Sequence, residues 1–321
     1  MALFQNRTRN QHFISQAEQS LNAIDSRNPS RIFSFTLENR DRFAVALERI
    51  DGISIRKKSL RFNDLFSFAI VGGQRQNLED CFGRYERNVA AHTTTLLREV
   101  GTYGNIKIFP ELVTSKFLNL IRNPYSARKV LNILGDRLES FIPSEGEVGN
   151  AYRELSMPKP HYAAACEEFG LTLDDYIKWL QAVFLMINAD FDGRPMIDKT
   201  IENILKTSIG RARIYRYSDT DSESVCLLSD RGLNDLSPNA VPGPGLIWDF
   251  NLTSKAFIRI WLKTFTTLGE IDRGGRCGWV ELDVEYDNLD RLANYNQNAV
   301  YQCAQKVYCS GQAPYGIVVE R

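Results

Sequence analysis

The pattern of apolar residues changes along the chain, and this change constrains the fold more than any other feature. In the middle, roughly residues 76–209, apolar residues recur at spacings of three and four, which is typical of amphipathic helices. Short segments rich in β-branched and aromatic residues flank this region on both sides and favour strands. Helices between two sets of strands predict an α+β protein whose N-terminal and C-terminal strands share one mixed or antiparallel sheet.

The predicted elements form a single domain over residues 1–321, with an N-terminal helix and hairpin over 10–75, helices over 76–209, and strands with a final helix over 210–321. Helices are predicted over residues 12–24, 78–96, 109–123, 126–141, 156–170, 172–191, 195–209 and 289–307. Residues 31–37 and 43–55 are predicted to form a β-hairpin followed by a third short strand around 53–55. Further strands are predicted over residues 212–217, 225–228, 246–250, 257–262 and 279–284. We expect strands 212–217 and 225–228 to pair around the acidic loop between them.

The composition is that of a folded protein without a general affinity for nucleic acid. Hydrophobic residues make up 43% of the 321 residues and charged residues 24%, as in globular domains. Lys plus Arg and Asp plus Glu both number 39, so no basic field covers the surface, although a local basic patch would still bind nucleic acid. The apolar stretch 179–191 is too short to span a membrane.

The cysteines and the N-terminus predict a cytoplasmic protein with reduced thiols. The six cysteines lie far apart without a CxxC motif, and the first residues contain no apolar secretion signal. Only three histidines are present, and no ligands stand at metal-binding spacing. We therefore predict neither a metal site nor a cofactor.

Four short polar signatures contain the candidate site residues. Each places a hydrogen-bonding or ionisable side chain beside an apolar segment. These groups either stabilise the fold through buried hydrogen bonds or belong to one site that the fold assembles. The four signatures are His12-Phe13-Ile14-Ser15-Gln16, Arg122-Asn123-Pro124, Ser229-Asp230-Arg231-Gly232, and Asn296 followed by Val307-Tyr308.

The first two signatures contain a histidine and an arginine. His12 and Gln16 are neighbours one turn apart on the predicted helix, where an imidazole would act as a general base or hold a phosphate or metal. Its structural alternative is a histidine that binds a carbonyl at the helix start. Arg122 would hold a phosphate or carboxylate bidentately, with Arg128 one further turn along, or it would stabilise the negative end of the helix dipole. Asn123 belongs to the same polar network.

The last two signatures contain an acid and an amide. Asp230 follows a predicted strand, where a carboxylate either serves catalysis or a metal, or forms a turn together with Ser229. Asn296 falls on the apolar face of the final helix, so its amide must bond to backbone or to another of these polar groups. Our hypothesis is that His12, Arg122, Asp230 and Asn296 meet in space.

The order of these motifs resembles the bacterial domain-of-unknown-function family 4238, over roughly residues 10–310, as a divergent member. Five positions depart from the family's pattern, and two of them, Ala17 and Gln19, replace the aromatic residue and the leucine of its first motif. Ser15 and Gly232 stand where the family usually has proline, and the family's second arginine is displaced to Arg128. The resemblance implies a cytoplasmic bacterial protein of a family with no generally assigned reaction, some of whose members are associated with anti-phage or inter-microbial conflict.

Two classes of function follow from this reading, and the first is our preferred prediction. A non-catalytic sensor or adaptor would bind a phage component or a partner protein from the same operon, with the four signatures forming a buried polar network. The alternative is a metal-dependent nucleic-acid hydrolase, with His12 as general base, Asp230 as ligand of a divalent metal or water, and Arg122 as phosphate clamp. A small-molecule-binding protein that uses the same polar pocket is a third interpretation.

Overall fold

The computed structural model describes residues 4–72, 74–99, 108–191, 193–206, 208–218, 222–237, 245–264 and 280–320. It confirms the α+β class, because helices and strands both occur and the strands form mixed or antiparallel sheets. Among these residues, no helix combines the length and the apolar character that crossing a bilayer requires.

The helices are numbered in chain order. They are α1 Gln16–Ser20, α2 Ile55–Lys58, α3 Glu79–Glu86, α4 Val89–Glu99, α5 Ile108–Ile121, α6 Ala127–Leu134, α7 Gly146–Leu155, α8 Tyr162–Phe169, α9 Leu173–Asn188, α10 Met196–Lys206 and α11 Leu289–Gln302. Short 3₁₀ helices cover Pro124–Ser126 and Gly135–Phe141.

The strands are numbered in the same way. They are β1 Asn10–His12, β2 Arg31–Asn39, β3 Ala44–Leu47, β4 Ile53–Ser54, β5 Arg61–Asn63, β6 Ser67–Val71, β7 Gln74–Asn77, β8 Asp190–Phe191, β9 Arg194–Pro195, β10 Ser208–Arg216, β11 Leu228–Ser229, β12 Asn234–Asp235, β13 Gly245–Thr253, β14 Ala256–Thr264, β15 Val280–Tyr286, β16 Lys306–Cys309 and β17 Val318–Glu320.

The chain divides into two compact units, each built from separate stretches of sequence. The first unit contains Met1–Ser15, Leu60–Asn88 and Phe117–Thr200, and the second unit contains Gln16–Ser59, Val89–Lys116 and Ile201–Arg321. The prediction of one domain over residues 1–321 stays a prediction.

The core of the first unit is built around α9, which packs against α3, α6, α7 and α8. Its apolar residues follow helical spacing, so Tyr176, Trp179 and Val183 all lie buried. Thr172 caps this helix, because its hydroxyl accepts the backbone N–H of Asp175 at 3.0 Å. The Trp179 indole donates to the carbonyl of Ile121 at 2.8 Å and thereby fixes the end of α5, directly before the second signature.

The second unit contains the two large sheets. In the six-stranded sheet the order is β11-β16-β2-β3-β17, and β4 pairs with β2. N-terminal and C-terminal strands therefore share one sheet, which is mixed because β17 runs parallel to β3 and the other pairs are antiparallel. This arrangement confirms the predicted sharing of a sheet. The five-stranded sheet has the order β12-β13-β14-β10-β15.

Helix α11 contributes to two apolar clusters in the second unit. Its residues Ala299 and Val300 join a cluster with the six-stranded sheet, whereas Leu292 and Tyr295 join one with β10 and β14. The extended segment 225–227 also contributes to both, because alternate side chains of an extended chain point in opposite directions. Val225 and Leu227 enter the first cluster and Cys226 the second.

Hydrogen bonds between residues distant in sequence explain why two helix predictions were wrong. Residues 12–24 do not form one helix, because Gln11 donates to Ser67 at 2.9 Å and accepts from the Phe66 N–H, and β1 pairs with β5. The helix predicted over 289–307 ends at Gln302, because the next backbone N–H groups bind the Asp230 carboxylate and the chain continues as β16.

Three other predicted elements also differ from the structure. The helix predicted over 78–96 is two helices, α3 and α4, separated at Arg87 and Asn88. Helix α8 starts only at Tyr162, because Pro158 and Pro160 disfavour helical backbone at the residue before each of them. Helix α7 was not predicted. Strand β10 pairs with β14 and β15, whereas Leu228 of β11 pairs with β16.

Candidate functional site

Asn296 connects two loops of the second unit. Its side chain is fully buried, and its amide nitrogen donates to the carbonyl oxygens of Val225 and Tyr315, both at 2.9 Å. Its amide oxygen accepts the backbone N–H of Leu227 at 3.0 Å. The neighbouring Gln297 donates to the carbonyl of Gly316 at 2.9 Å. One turn of α11 therefore holds the segment 225–227 against the loop that follows β16.

Asp230 fixes the start of β16. Its carboxylate is 2% exposed and accepts three consecutive backbone N–H groups, from Ala304, Gln305 and Lys306, at 2.7, 2.7 and 2.9 Å. Burial raises the pKa of Asp230, and the three N–H donors oppose this shift because they stabilise the charged form. The carboxylate thus supplies acceptors to the three backbone N–H groups that follow α11, where the chain leaves the helix and enters β16.

Ser229 and Gly232 complete the turn around Asp230. The Ser229 hydroxyl accepts the N–H of Arg231 at 3.1 Å, and its carbonyl accepts the N–H of Gly232 at 3.0 Å. Gly232 has a φ of 77°, which proline cannot adopt because its ring holds φ near −65°. This turn therefore differs from any that the Ser-Asp-x-Pro pattern of the resembled family can form.

The loops that Asn296 connects line a cavity of about 460 Å³, here called the loop pocket. Its apolar wall consists of Ile24, Phe33 and Val225. Polar groups come from two short segments, 222–223 and 310–312, and from the Lys255 side chain. The volume of the loop pocket lies within the range of small-ligand sites, about 300–1,000 Å³.

Two contacts fix the position of the pocket walls. The Lys255 ammonium donates to the carbonyl of Ser224 at 3.0 Å, and the carbonyl of Glu223 accepts the N–H of Tyr315 at 3.0 Å. Gly311 approaches the opposite wall so closely that an added Cβ would lie 2.8 Å from the Ser222 carbonyl oxygen. The pocket therefore combines a cation with walls that are bonded to each other.

A second group of buried polar residues in the same unit surrounds Lys116. Its ammonium is 3% exposed, pairs with the Glu18 carboxylate and donates to the carbonyl of Asn251 at 2.6 Å. The side-chain amides of Asn22 and Asn251 bond to each other at 2.7 and 3.0 Å. These bonds join α1, α5 and β13, and each charge has a partner of opposite sign or a backbone acceptor.

Arg122 lies in the first unit and is also buried. It is 1% exposed, forms an ion pair with Glu86 of α3 and donates to the Asn119 amide oxygen at 2.9 Å. Its guanidinium stacks over the Phe82 ring, 4.9 Å from the centroid. Beside this group, burial raises the pKa of Glu79 to about 8, while Arg122 lowers it and the Glu86 carboxylate raises it further.

The remaining candidate residues are placed as follows. His12 is buried in β1, whereas Gln16 is the exposed first residue of α1, so the two are not neighbours on one helix. The Asn123 side chain caps the following 3₁₀ helix, accepting the N–H of Tyr125 at 3.0 Å. Arg128 is 67% exposed and donates to the carbonyl of Gly170 at 2.8 Å.

The second unit brings two signatures together, since Asn296 binds the segment that leads into Ser229 and Asp230. His12 and Arg122 belong to the first unit, and the convergence of all four signatures stays a prediction. Lys255 was not among the residues predicted for the site, because a single lysine after a turn belongs to no recognisable motif. Glu79 was detectable, since it lies three and seven residues before Phe82 and Glu86, on one helical face.

Metal and thiol chemistry find little support in the described part of the chain. There, no group of three or more His, Cys, Asp or Glu side chains is placed to hold a metal ion, and Asp219 and Asp221 of the acidic loop lie outside it. Burial raises the pKa of Cys226, and it raises that of Cys303 and Cys309 to about 12, so these thiols stay protonated.

Comparisons with family models, curated proteins and solved structures returned no match to this chain. The resemblance to the domain-of-unknown-function family stays a prediction based on the motifs.

Proposed function

We propose that this chain is a non-catalytic binding protein, a sensor or adaptor, and that it takes its ligand at the loop pocket. One observation carries the proposal: the Asn296 amide bonds to both loops that line the cavity. A polar residue used in this way sets the shape of a binding site and offers no free group to a reactant. The role of Asn296 is therefore to hold the pocket.

The hydrolase alternative receives less support from the same contacts. A phosphate clamp must reach its substrate, but Arg122 is 1% exposed and its two terminal nitrogens bond to Glu86 and Asn119. A metal-binding carboxylate must leave oxygen lone pairs for the ion, but both Asp230 oxygens accept backbone N–H groups. These bonds favour binding over catalysis.

A place in bacterial defence is the finer part of the proposal and rests on the family resemblance. The ligand would be a phage component or a protein encoded beside this chain, in the bacterial cytoplasm. The loop pocket suits part of such a partner, because its apolar wall accepts an apolar side chain and its polar lining includes Lys255 and Glu223.

Bacteria that carry this gene with its neighbours, challenged with a panel of phages, provide the test. We expect the wild-type chain to reduce plating efficiency, and Lys255→Glu to abolish the reduction by reversing a charge in the loop pocket. Lys178→Glu is the matched control, because Lys178 is 59% exposed on α9, and it should protect like the wild type. Thermal melting must show that both variants fold.

Purified protein tests the alternative directly. Cleavage of DNA or RNA in the presence of magnesium or manganese, lost in a folded Asp230→Asn variant, would replace the binding proposal by the hydrolase. Equal protection by Lys255→Glu and the wild type would remove the loop pocket from the proposal.

A further inference from the structure

Helix α3 presents two carboxyl groups to Arg122 in the first unit. Glu79, Phe82 and Glu86 follow one another at spacings of three and four, so they lie along one face of the helix. Glu86 forms the ion pair with Arg122, and the Phe82 ring lies under the guanidinium. Glu79 begins the helix, and its backbone N–H donates to the Asn77 side chain at 3.0 Å.

Two buried polar atoms of this group lack a partner among the described residues. One is Nε of Arg122, a donor, and the other is Oε1 of Glu79, an acceptor. A buried polar atom without a hydrogen bond is costly, and natural structures contain few of them. Here the two atoms are of complementary kind and belong to groups that interact electrostatically. A second arrangement would pair these two atoms with each other.

We propose that Glu79 and Glu86 form a proton-operated switch around Arg122. While Glu79 is protonated, it carries no charge and Arg122 pairs with Glu86. When Glu79 releases its proton to solvent, two carboxylates share one guanidinium, and Arg122 turns its Nε towards Glu79 at the expense of the Glu86 pair. The ion pair between Glu86 on α3 and Arg122, directly after α5, links the two helices. Ionisation of Glu79 therefore changes how the end of α5 is held against α3.

The charges around Glu79 set the direction of this switch. Arg122, which follows α5, is the cation that faces it, and Asp80 and Glu86 of its own helix are the anions that oppose its ionisation. The Asp80 carboxylate accepts a hydrogen bond from the Asn6 side-chain amide at 2.6 Å. The Arg84 guanidinium donates to the backbone carbonyl of Ile187 at the end of α9. From α10, Asp198 interacts with Tyr85.

Burial places the transition in an accessible pH range, because it raises the pKa of Glu79 from 4.5 to about 8. A carboxyl whose pKa is higher in the folded state than in the unfolded state favours folding when protonated. Its contribution is complete below pH 4.5, falls as the pH rises towards 8, and is absent above that value.

The test uses the full chain with ¹³C-labelled glutamate carboxyl groups. In the wild type, the Glu79 resonance, assigned by its loss in Glu79→Gln, should titrate near pH 8, more than three pH units above the ordinary glutamate value. In the Glu86→Gln variant, the pH midpoint of the Glu79 titration should fall. A like charge is removed there, and Arg122 no longer pairs with a charged Glu86. The melting temperature of Glu79→Gln should change less between pH 5 and 8 than that of the wild type.

Two results would overturn the proposal. One is a folded wild type in which every glutamate carboxyl resonance titrates close to 4.5 and none near 8, a result that needs no variant. The other is a Glu86→Gln midpoint identical to that of the wild type, since the two carboxyl groups would then not share Arg122. Neither result bears on the loop pocket.

Discussion

At the scale of single residues, several buried polar side chains of this chain bind backbone groups. Asn296 and Asp230 have the residue types of a catalytic or metal site, yet their partners are the carbonyl and N–H groups of loops. Sequence patterns identify that such residues are buried, as they did for Asn296 on an apolar helix face. They do not identify the partner, because Asn296 and Val225 are 71 positions apart.

The buried ion pair of Lys116 and Glu18 gives a prediction at this scale. Lys116→Met should lower the free energy of unfolding by roughly 3–5 kcal/mol, because Glu18 would keep a buried charge without its cation. Adding Glu18→Gln should recover part of this loss, since no buried charge then remains. Chemical denaturation of the single and double variants measures both effects. A double variant no more stable than the single one would show that the pair is not the cause.

At the scale of elements, local signals predicted the segments whose stability is local. Helices α5 and α9 and strands β13 and β14 lie where hydrophobic spacing predicts them, because each buries a continuous apolar stripe. The wrong helix predictions lie where a side chain distant in sequence forms hydrogen bonds to backbone groups. The Gln11 amide binds the segment at Phe66 and Ser67, and the Asp230 carboxylate ends the final helix. Partners of this kind leave no periodic signal in the sequence.

The cap of α9 provides the prediction for an element. Thr172→Ala should destabilise the protein by about 1 kcal/mol, because the N–H of Asp175 loses the hydroxyl that it binds at 3.0 Å. Ser54→Ala is the matched control, since Ser54 precedes α2 without a side-chain cap bond, and its effect should stay within about 0.5 kcal/mol. Thermal melting compares the two. Equal losses would mean that the Thr172 hydroxyl does not cap the helix.

At the scale of the whole molecule, the order of motifs along the chain does not give their arrangement in space. The first two signatures supply His12 and Arg122 to the first unit, and the last two supply Asp230 and Asn296 to the second. The α+β class and the shared sheet were predictable, because strands at both ends of a chain must find partners. The loop pocket was not, since its walls come from five separate places in the sequence, between residues 24 and 313.

The central claim is that Asn296 holds the walls of the loop pocket together, and amide hydrogen exchange of Asn296→Ala tests it most directly. We predict that protection of the backbone N–H groups of Leu227 and Tyr315 falls by about 10- to 100-fold, the equivalent of a lost buried hydrogen bond. Strand β13 should keep its protection. Asn298→Ala, two residues further along α11, should leave all these sites unchanged, because the Asn298 side chain donates to the carbonyl of Asn294 within the same helix. Unchanged protection of Leu227 and Tyr315 in a folded Asn296→Ala protein would contradict the account.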